Sequence, residues 1–348
     1  MLKALRAIAW FFQEKIGWNR IGLLLSLTII TIAAVVLYRM LHTIRFDEVV
    51  RAVKATEWKH IAAAGFFVAL GYFTLTFYDW FALRTIGRKE VPYKIAALAG
   101  FTSYSVGHNV GATVFTGGAV RYRIYSAFGL NAVEVAKICF VAGLTFWLGN
   151  ATVLGLGISV DPEAAGAIDQ LPNSFNRMIG LAMLGVLATY VIWVSTGTRV
   201  IGRKEWKVEL PNGASTLLQI CIGIVDLGSC ALAMYMLLPN EPNVGFITIT
   251  VIFVSATLLG FASHAPGGLG VFDAAMLVAL WQFDKEQVLA GLLLFRVLYY
   301  VVPFALALCI LGTREFWLNV REGRKLPKLK TVHAADPIRS ELEKTDAR

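Results

Sequence analysis

Charge is scarce in this sequence. Only 16% of its 348 residues are Asp, Glu, Lys or Arg, against about 25% in soluble domains, which excludes an ordinary water-soluble fold of this length. Cysteine is scarce too. Cys139, Cys221, Cys230 and Cys309 all fall inside apolar runs, with no metal-ligand spacing and no paired loop positions. They read as small buried hydrophobes and exclude a disulfide framework. There is no phosphate-binding glycine loop, no GxSxG elbow and no HExxH helix. No catalytic residue, metal or cofactor is therefore expected. The tail after Leu311 is too short for a soluble catalytic domain, and the first twenty residues carry no recognisable cleavable leader.

What is abundant is long apolar sequence. A membrane span needs about 20 mostly apolar residues. Ile21–Leu41, Ile61–Leu83, Val133–Ile158, Ile179–Val194, Leu217–Leu238, Val244–Phe261 and Val288–Leu311 fit that description or come close to it. The expectation is an all-α polytopic membrane protein with about seven full transmembrane helices. Residues 1–20 set Leu2, Leu5, Ile8, Phe12 and Ile16 on one helical stripe, which predicts an amphipathic helix on the cytoplasmic surface. Phe46–Trp58 has a similar pattern. The membrane domain then covers 21–315, and 316–348 is a basic, then disordered, cytoplasmic tail.

Loop charge predicts the orientation. Arg84, Arg88, Lys89 and Lys94 crowd one loop, and Arg199, Arg203, Lys204 and Lys207 another. Asp161, Glu163 and Asp169 dominate the loop between the third and fourth spans. Basic loops stay in the cytoplasm, so both termini are expected inside. The net charge of +9 is assigned to anionic headgroups rather than to nucleic acid.

Two stretches interrupt the pattern. About 95–130 is apolar overall but contains Ser103, Ser105, Gly107, His108, Asn109, Gly111, Gly117 and Gly118. About 260–283 contains Ser263, His264, Pro266, Gly267, Gly268 and Gly270. Glycine and proline disrupt helical hydrogen bonding, and the freed backbone groups cannot face lipid. Both are therefore expected to be re-entrant or discontinuous helices enclosed by the others, with Gly117, Gly118, Gly267, Gly268 and Gly270 at the breaks. Gly100-Phe101-Thr102-Ser103 matches Gly260-Phe261-Ala262-Ser263, which suggests an internal pseudo-repeat. Paired interrupted segments point to a transporter-type binding site.

Ionisable residues at membrane depth are costly and need partners. Here they are Asp79, Arg121, Arg123, Asp226, Asp273 and Arg296, with Glu134 and Lys137 near the start of the third span. One reading is mutual neutralisation: Arg296 with Asp226 or Asp273, and Arg121 with Asp79 or Glu134. The other is binding. Arg121 and Arg123 beside a broken helix suit a phosphate, and the carboxylates suit a cationic headgroup. His108 and His264 sit in the two breaks without the ligand cluster that a metal requires. Tyr104, Tyr122, Tyr125, Tyr299 and Tyr300 read as packing or interface residues.

Several runs together resemble one family. They are Phe77-Tyr78-Asp79, Ser105-Val106-Gly107-His108-Asn109-Val110-Gly111, Thr116-Gly117-Gly118-Ala119-Val120-Arg121-Tyr122-Arg123-Ile124-Tyr125, Leu144-Thr145-Phe146-Trp147-Leu148-Gly149, and Ser263-His264-Ala265-Pro266-Gly267-Gly268-Leu269-Gly270-Val271-Phe272-Asp273. They resemble the flippase half of the multiple peptide resistance factor family, the lysylphosphatidylglycerol synthase transmembrane region. The resemblance covers about residues 20–315. In that family a membrane half moves aminoacylated phosphatidylglycerol between leaflets, and a cytosolic half makes it from aminoacyl-tRNA. This sequence carries no counterpart of the synthase half.

The resemblance implies a stand-alone translocator of an aminoacyl-phosphatidylglycerol or related polar phospholipid in a bacterial inner membrane. It would work beside a separately encoded synthase or as a homo-oligomer. Asp79, His108, Arg121, Arg123, Asp226, His264, Asp273 and Arg296 are the candidate substrate-binding residues. The alternative is an accessory subunit or transferase acting on a lipid-linked substrate, with His108 or His264 as its base.

Overall fold

The computed structural model describes residues 46–203, 206–263 and 266–325, with isolated positions between 28 and 39. The expected surface helix 1–20, most of the first span, His264 and the end of the tail lie outside the described residues. A compact unit ends at Leu311, and a second unit starts at Gly312.

The described residues are mostly helical: α1 (Phe46–Ala55), α2 (Trp58–Thr85), α3 (Tyr93–Val110), α4 (Thr113–Tyr125), α5 (Ala132–Val160), α6 (Pro162–Asp169), α7 (Asn173–Ser195), α8 (Gly213–Leu237), α9 (Phe246–Ala262), α10 (Val271–Ala279), α11 (Lys285–Phe295) and α12 (Val302–Lys325). A short antiparallel hairpin, β1 (Val200–Arg203) and β2 (Trp206–Glu209), joins α7 to α8. Five described segments are long and apolar enough to cross a membrane: α2, α5, α7, α8 and the continuous stretch Lys285–Trp317. The sixth expected span is α9, a shorter apolar helix of 17 residues.

Local chemistry marks the helix starts. Asn131 caps α5 by accepting from the Glu134 backbone N–H at 3.0 Å, while Glu134 reaches back to the Asn131 N–H at 2.9 Å, a reciprocal capping box. Asn212 accepts from Ser215 at the start of α8. Asp284 accepts from Glu286 and Gln287 at the start of α11.

Helices α2 and α8 pack along each other at the centre, with α3 on the other side of α2 and α5 against both. Glycine permits the closest approach. A methyl group on Gly149 of α5 would stand 2.7 Å from the Gly223 Cα of α8, and one on Gly223 would stand 2.6 Å from the Gly149 Cα. Small residues at such crossings let membrane helices gain backbone-to-backbone packing. Farther out, α7 meets α5 where Gly180 crosses Gly155 and Ser159. The rest of α7 exposes Leu181, Val186 and Ile192, as a lipid-facing helix should. Cys230 is buried, but Cys221 and Cys309 lie on the outer surface. An uncharged thiol is compatible with lipid as well as with a core, so burial of all four does not hold.

Along α2 the core changes hands. Residues up to Tyr78 pack in one apolar cluster with α8, α9, α10 and α11. Those from Phe81 onward pack in a second cluster with α3, α4, α5 and Phe304. Asp79 sits at the changeover.

The two interrupted stretches are helical hairpins. Helix α4 has 13 residues and α10 has nine, about 20 Å and about 14 Å long at 1.5 Å per residue. Neither covers a hydrocarbon core of about 30 Å. The first turn falls at Gly111 (φ 83°) and Ala112 (φ 46°). Gly117 and Gly118 instead lie inside α4. Gly117 serves close packing: a methyl there would stand 3.0 Å from the Ser103 carbonyl of α3. Side-chain hydroxyls cover carbonyls at the turn. Thr113 donates to the Gly107 carbonyl at 3.2 Å and Thr116 to the Gly111 carbonyl at 2.9 Å.

The second turn does use its glycines. Gly267, Gly268 and Gly270 have φ of 61°, 64° and 82°. Nothing lies within 4 Å of a methyl placed on Gly270, so Gly270→Ala tests conformation alone. Left-handed backbone costs a residue with a Cβ about 1–2 kcal/mol. A loss of that size is expected in thermal unfolding of the detergent-purified protein, whereas an unchanged midpoint would contradict the turn geometry.

Candidate functional site

The hairpin turns meet. Helix α3 packs against the Pro266–Gly268 turn. The His108 ring, next to the first turn, lies 5.8 Å from Phe261 and stacks at 6.4 Å on Tyr299. Gly267 faces the Tyr300 ring.

Both tyrosines belong to a π-helical turn, Arg296–Val301, inserted in the last span. Its cause is readable. Pro303 has no N–H, so the Tyr299 carbonyl loses its α-helical donor. The Tyr72 hydroxyl donates to that carbonyl at 2.9 Å. The Asn109 side-chain amide donates to the next carbonyl, Tyr300, at 3.3 Å. The irregular backbone is thereby tied to α2 and to the first hairpin. π-Turns of this kind concentrate at functional sites.

The buried charges surround this junction. Arg121 on α4 grips Asp79 on α2 through Nε at 3.0 Å to both carboxylate oxygens and through a second nitrogen at 2.7 Å. The side chains are 4% and 0% exposed. The Tyr125 hydroxyl donates to Asp79 at 2.8 Å, and the guanidinium lies 4.8 Å above the Tyr104 ring, a cation–π contact. Glu134, the other partner considered for Arg121, is taken by Arg88 at 2.6 Å. Arg296 pairs with Asp273, and these side chains are 11% and 25% exposed. The second carboxylate considered for Arg296, Asp226, instead accepts from the Tyr78 hydroxyl at 2.9 Å.

Of the residues singled out from sequence, Asp79 and Arg121 form one sealed pair, and Asp273 and Arg296 form one more accessible pair. Asp226 is buried near the first pair, His108 lies at the junction, and Arg123 is half-buried on α4. Sequence reading quoted Tyr78 only within the family resemblance and did not pick out Tyr72, and it assigned Tyr104 and Tyr125 to packing or interface positions, with a headgroup path as the lesser alternative. The signals were present: Tyr78 adjoins Asp79, and Pro303 stands inside an apolar span. Among the described residues no group of three His, Cys, Asp or Glu could hold a metal.

The helical architecture, the apolar spans and the interior charges define a multi-pass helical membrane protein. No family model matches the chain. The chain belongs to the family of the uncharacterized protein slr0712 of Synechocystis, to which it is 30% identical over 318 residues, covering 91% of this chain and 97% of the relative. It is 28% identical over 273 residues to the inner membrane protein YbhN of Escherichia coli, covering 76% and 82%. It is 25% identical over 294 residues to a phosphatidylglycerol lysyltransferase of Staphylococcus xylosus, covering 84% of this chain but 33% of that enzyme.

Proposed function

We propose that this protein moves a polar phospholipid between the leaflets of a bacterial inner membrane, with an aminoacyl-phosphatidylglycerol as the first substrate to test. The observation that carries the reading is the meeting of two helix breaks beside two interior Arg–Asp pairs. The lysyltransferase relative adds the substrate class. Both hairpins are re-entrant in this reading, and both termini face the cytoplasm, as the basic loops imply.

The two pairs have different tasks. Arg296–Asp273, the more accessible, meets the headgroup. A phosphate competes for the arginine fork, and an ammonium competes for the carboxylate. A headgroup carrying both replaces both partners and leaves neither charge unpaired. Asp79–Arg121 holds the first hairpin shut, and Arg121, with Arg123 nearby, receives the phosphate when that hairpin moves. His108 lines the junction, and the positive-φ glycines permit the second turn to rearrange. Acyl tails stay in the bilayer throughout.

Vesicles containing the purified protein and labelled lysyl-phosphatidylglycerol test this. Outer-leaflet exposure should be faster than in protein-free vesicles. Arg296→Gln should slow it about tenfold to a hundredfold, the equivalent of one charge-assisted contact. A rate equal to that of empty vesicles, for this lipid and for phosphatidylglycerol alike, would end the proposal.

A further inference from the structure

Asp226 differs from the other two interior aspartates. Asp79 faces Arg121 and Asp273 faces Arg296. Among the described residues Asp226 has no ion pair. One of its oxygens, Oδ2, accepts from Tyr78. The other, Oδ1, is buried without a hydrogen-bond partner. A methyl placed on Gly71 would meet the Cys230 Sγ at 3.5 Å, Oδ1 at 3.7 Å and the Ser229 Cβ at 3.8 Å, and the Ser229 hydroxyl is already committed to the Val225 carbonyl at 2.6 Å.

A lone ionised carboxylate at this depth costs several kcal/mol. A metal ion would need several oxygen ligands, and a glycine, a thiol and an engaged hydroxyl do not supply them. A proton needs only Oδ1.

We propose that Asp226 is a proton-binding site that couples lipid movement to a transmembrane proton gradient, an inference that rests on the translocation reading above. Hydronium delivers its proton to Oδ1, giving a neutral carboxylic acid and water. Release to water on the other side restores the carboxylate. Tyr78 keeps its own proton and remains the donor to Oδ2.

The site is wired to the moving part. Tyr78 sets its ring edge against Tyr104 at 5.8 Å. Tyr104 lies beneath the Arg121 guanidinium. Arg121 returns to Asp79, the residue next to Tyr78 on α2. Adding or removing charge at Asp226 therefore acts, through two aromatic rings, on the pair that closes the first hairpin. The titratable groups facing Asp226 are Tyr72 and Tyr78 from α2, Tyr104 from α3, Tyr299 from the π-turn and Cys230 from α8 itself. None is a cation.

Two measurements decide the matter. The first is the infrared difference spectrum of the purified protein between acid and alkaline buffer. A carboxylic-acid carbonyl band is expected in the wild type, and its Asp226 component should be missing in Asp226→Asn. Tyr78→Phe, which keeps the ring on Tyr104, should move the pH midpoint of that band. An Asp226→Asn spectrum identical to wild type, or an unmoved midpoint in Tyr78→Phe, overturns the site.

The second is the leaflet distribution of labelled lysyl-phosphatidylglycerol under an imposed proton gradient. At one proton per lipid, a gradient of one pH unit sustains about a tenfold ratio, abolished by a protonophore. In Asp226→Asn the ratio should fall to about one while movement continues. Wild-type equilibration that ignores the gradient overturns coupling and leaves translocation standing. No movement in any vesicle overturns both.

Discussion

Replacing Arg121 by glutamine is expected to destabilise the protein by about 3–5 kcal/mol, because it strands Asp79 in the interior with Tyr125 as its remaining donor among the described residues. Asp79→Asn should cost a similar amount by stranding the guanidinium. The double replacement should regain most of the loss, since two neutral amides in contact leave no buried charge. Thermal unfolding in detergent measures all three. Lipid movement should behave differently. The double variant should stay at least about tenfold slower than wild type, because no fork remains to take the phosphate. Recovery of both stability and transport would reduce the pair to a structural clasp.

The crossing of α5 and α8 sets the second large effect. Gly149→Leu has no space, since even its Cβ would stand 2.7 Å from the facing backbone. The helices must separate. The Gln219 amide, which donates to the Thr145 hydroxyl at 2.7 Å across the same interface, then loses its partner. Overpacking of this kind costs about 1–3 kcal/mol, with a hydrogen bond lost in addition. Gly143→Ala on the same helix is the control. Nothing lies within 4 Å of its added methyl, and alanine is the better helix former by about 1 kcal/mol. The unfolding midpoint should fall in the first variant and hold or rise in the second. Equal behaviour would mean that the helices do not meet at Gly149.

The spans were the most readable part of the sequence because bilayer thickness imposes length and apolarity together. Ile61–Leu83 lies within α2, and Leu217–Leu238 almost coincides with α8. The existence of two interruptions was readable for the same reason, since Gly111 and the run from Pro266 to Gly270 do not continue a lipid-facing helix. Their placement was harder. Gly117-Gly118 looks like a break and is helical, while Ala112 carries a positive φ that its side chain does not advertise. A glycine pair serves close packing as readily as turning, and only the neighbouring helix decides which.

Charge pairing stopped at alternatives for a similar reason. Arg121 could be matched to Asp79 or to Glu134 from their depth in the sequence. The choice depends on Arg88, a loop residue that claims Glu134. The tyrosine contacts were least accessible. Tyr78 and Asp79 are adjacent, yet Tyr78 donates to Asp226 on α8 while Asp79 accepts from Arg121 and Tyr125 on α4, an arrangement that depends on how α4 and α8 flank α2.

The central claim is that a lipid headgroup visits the junction where the two hairpin turns meet. The most direct measurement is photo-crosslinking in vesicles with a phosphatidylglycerol analogue whose reactive group sits on the headgroup, followed by mapping of the labelled peptides. The account predicts adducts on both sides of the junction, within 104–123 and within 261–300, and their loss when excess unlabelled lysyl-phosphatidylglycerol competes. Adducts confined to the lipid-facing residues Ala182–Trp193 of α7 and to other outer surfaces would contradict it.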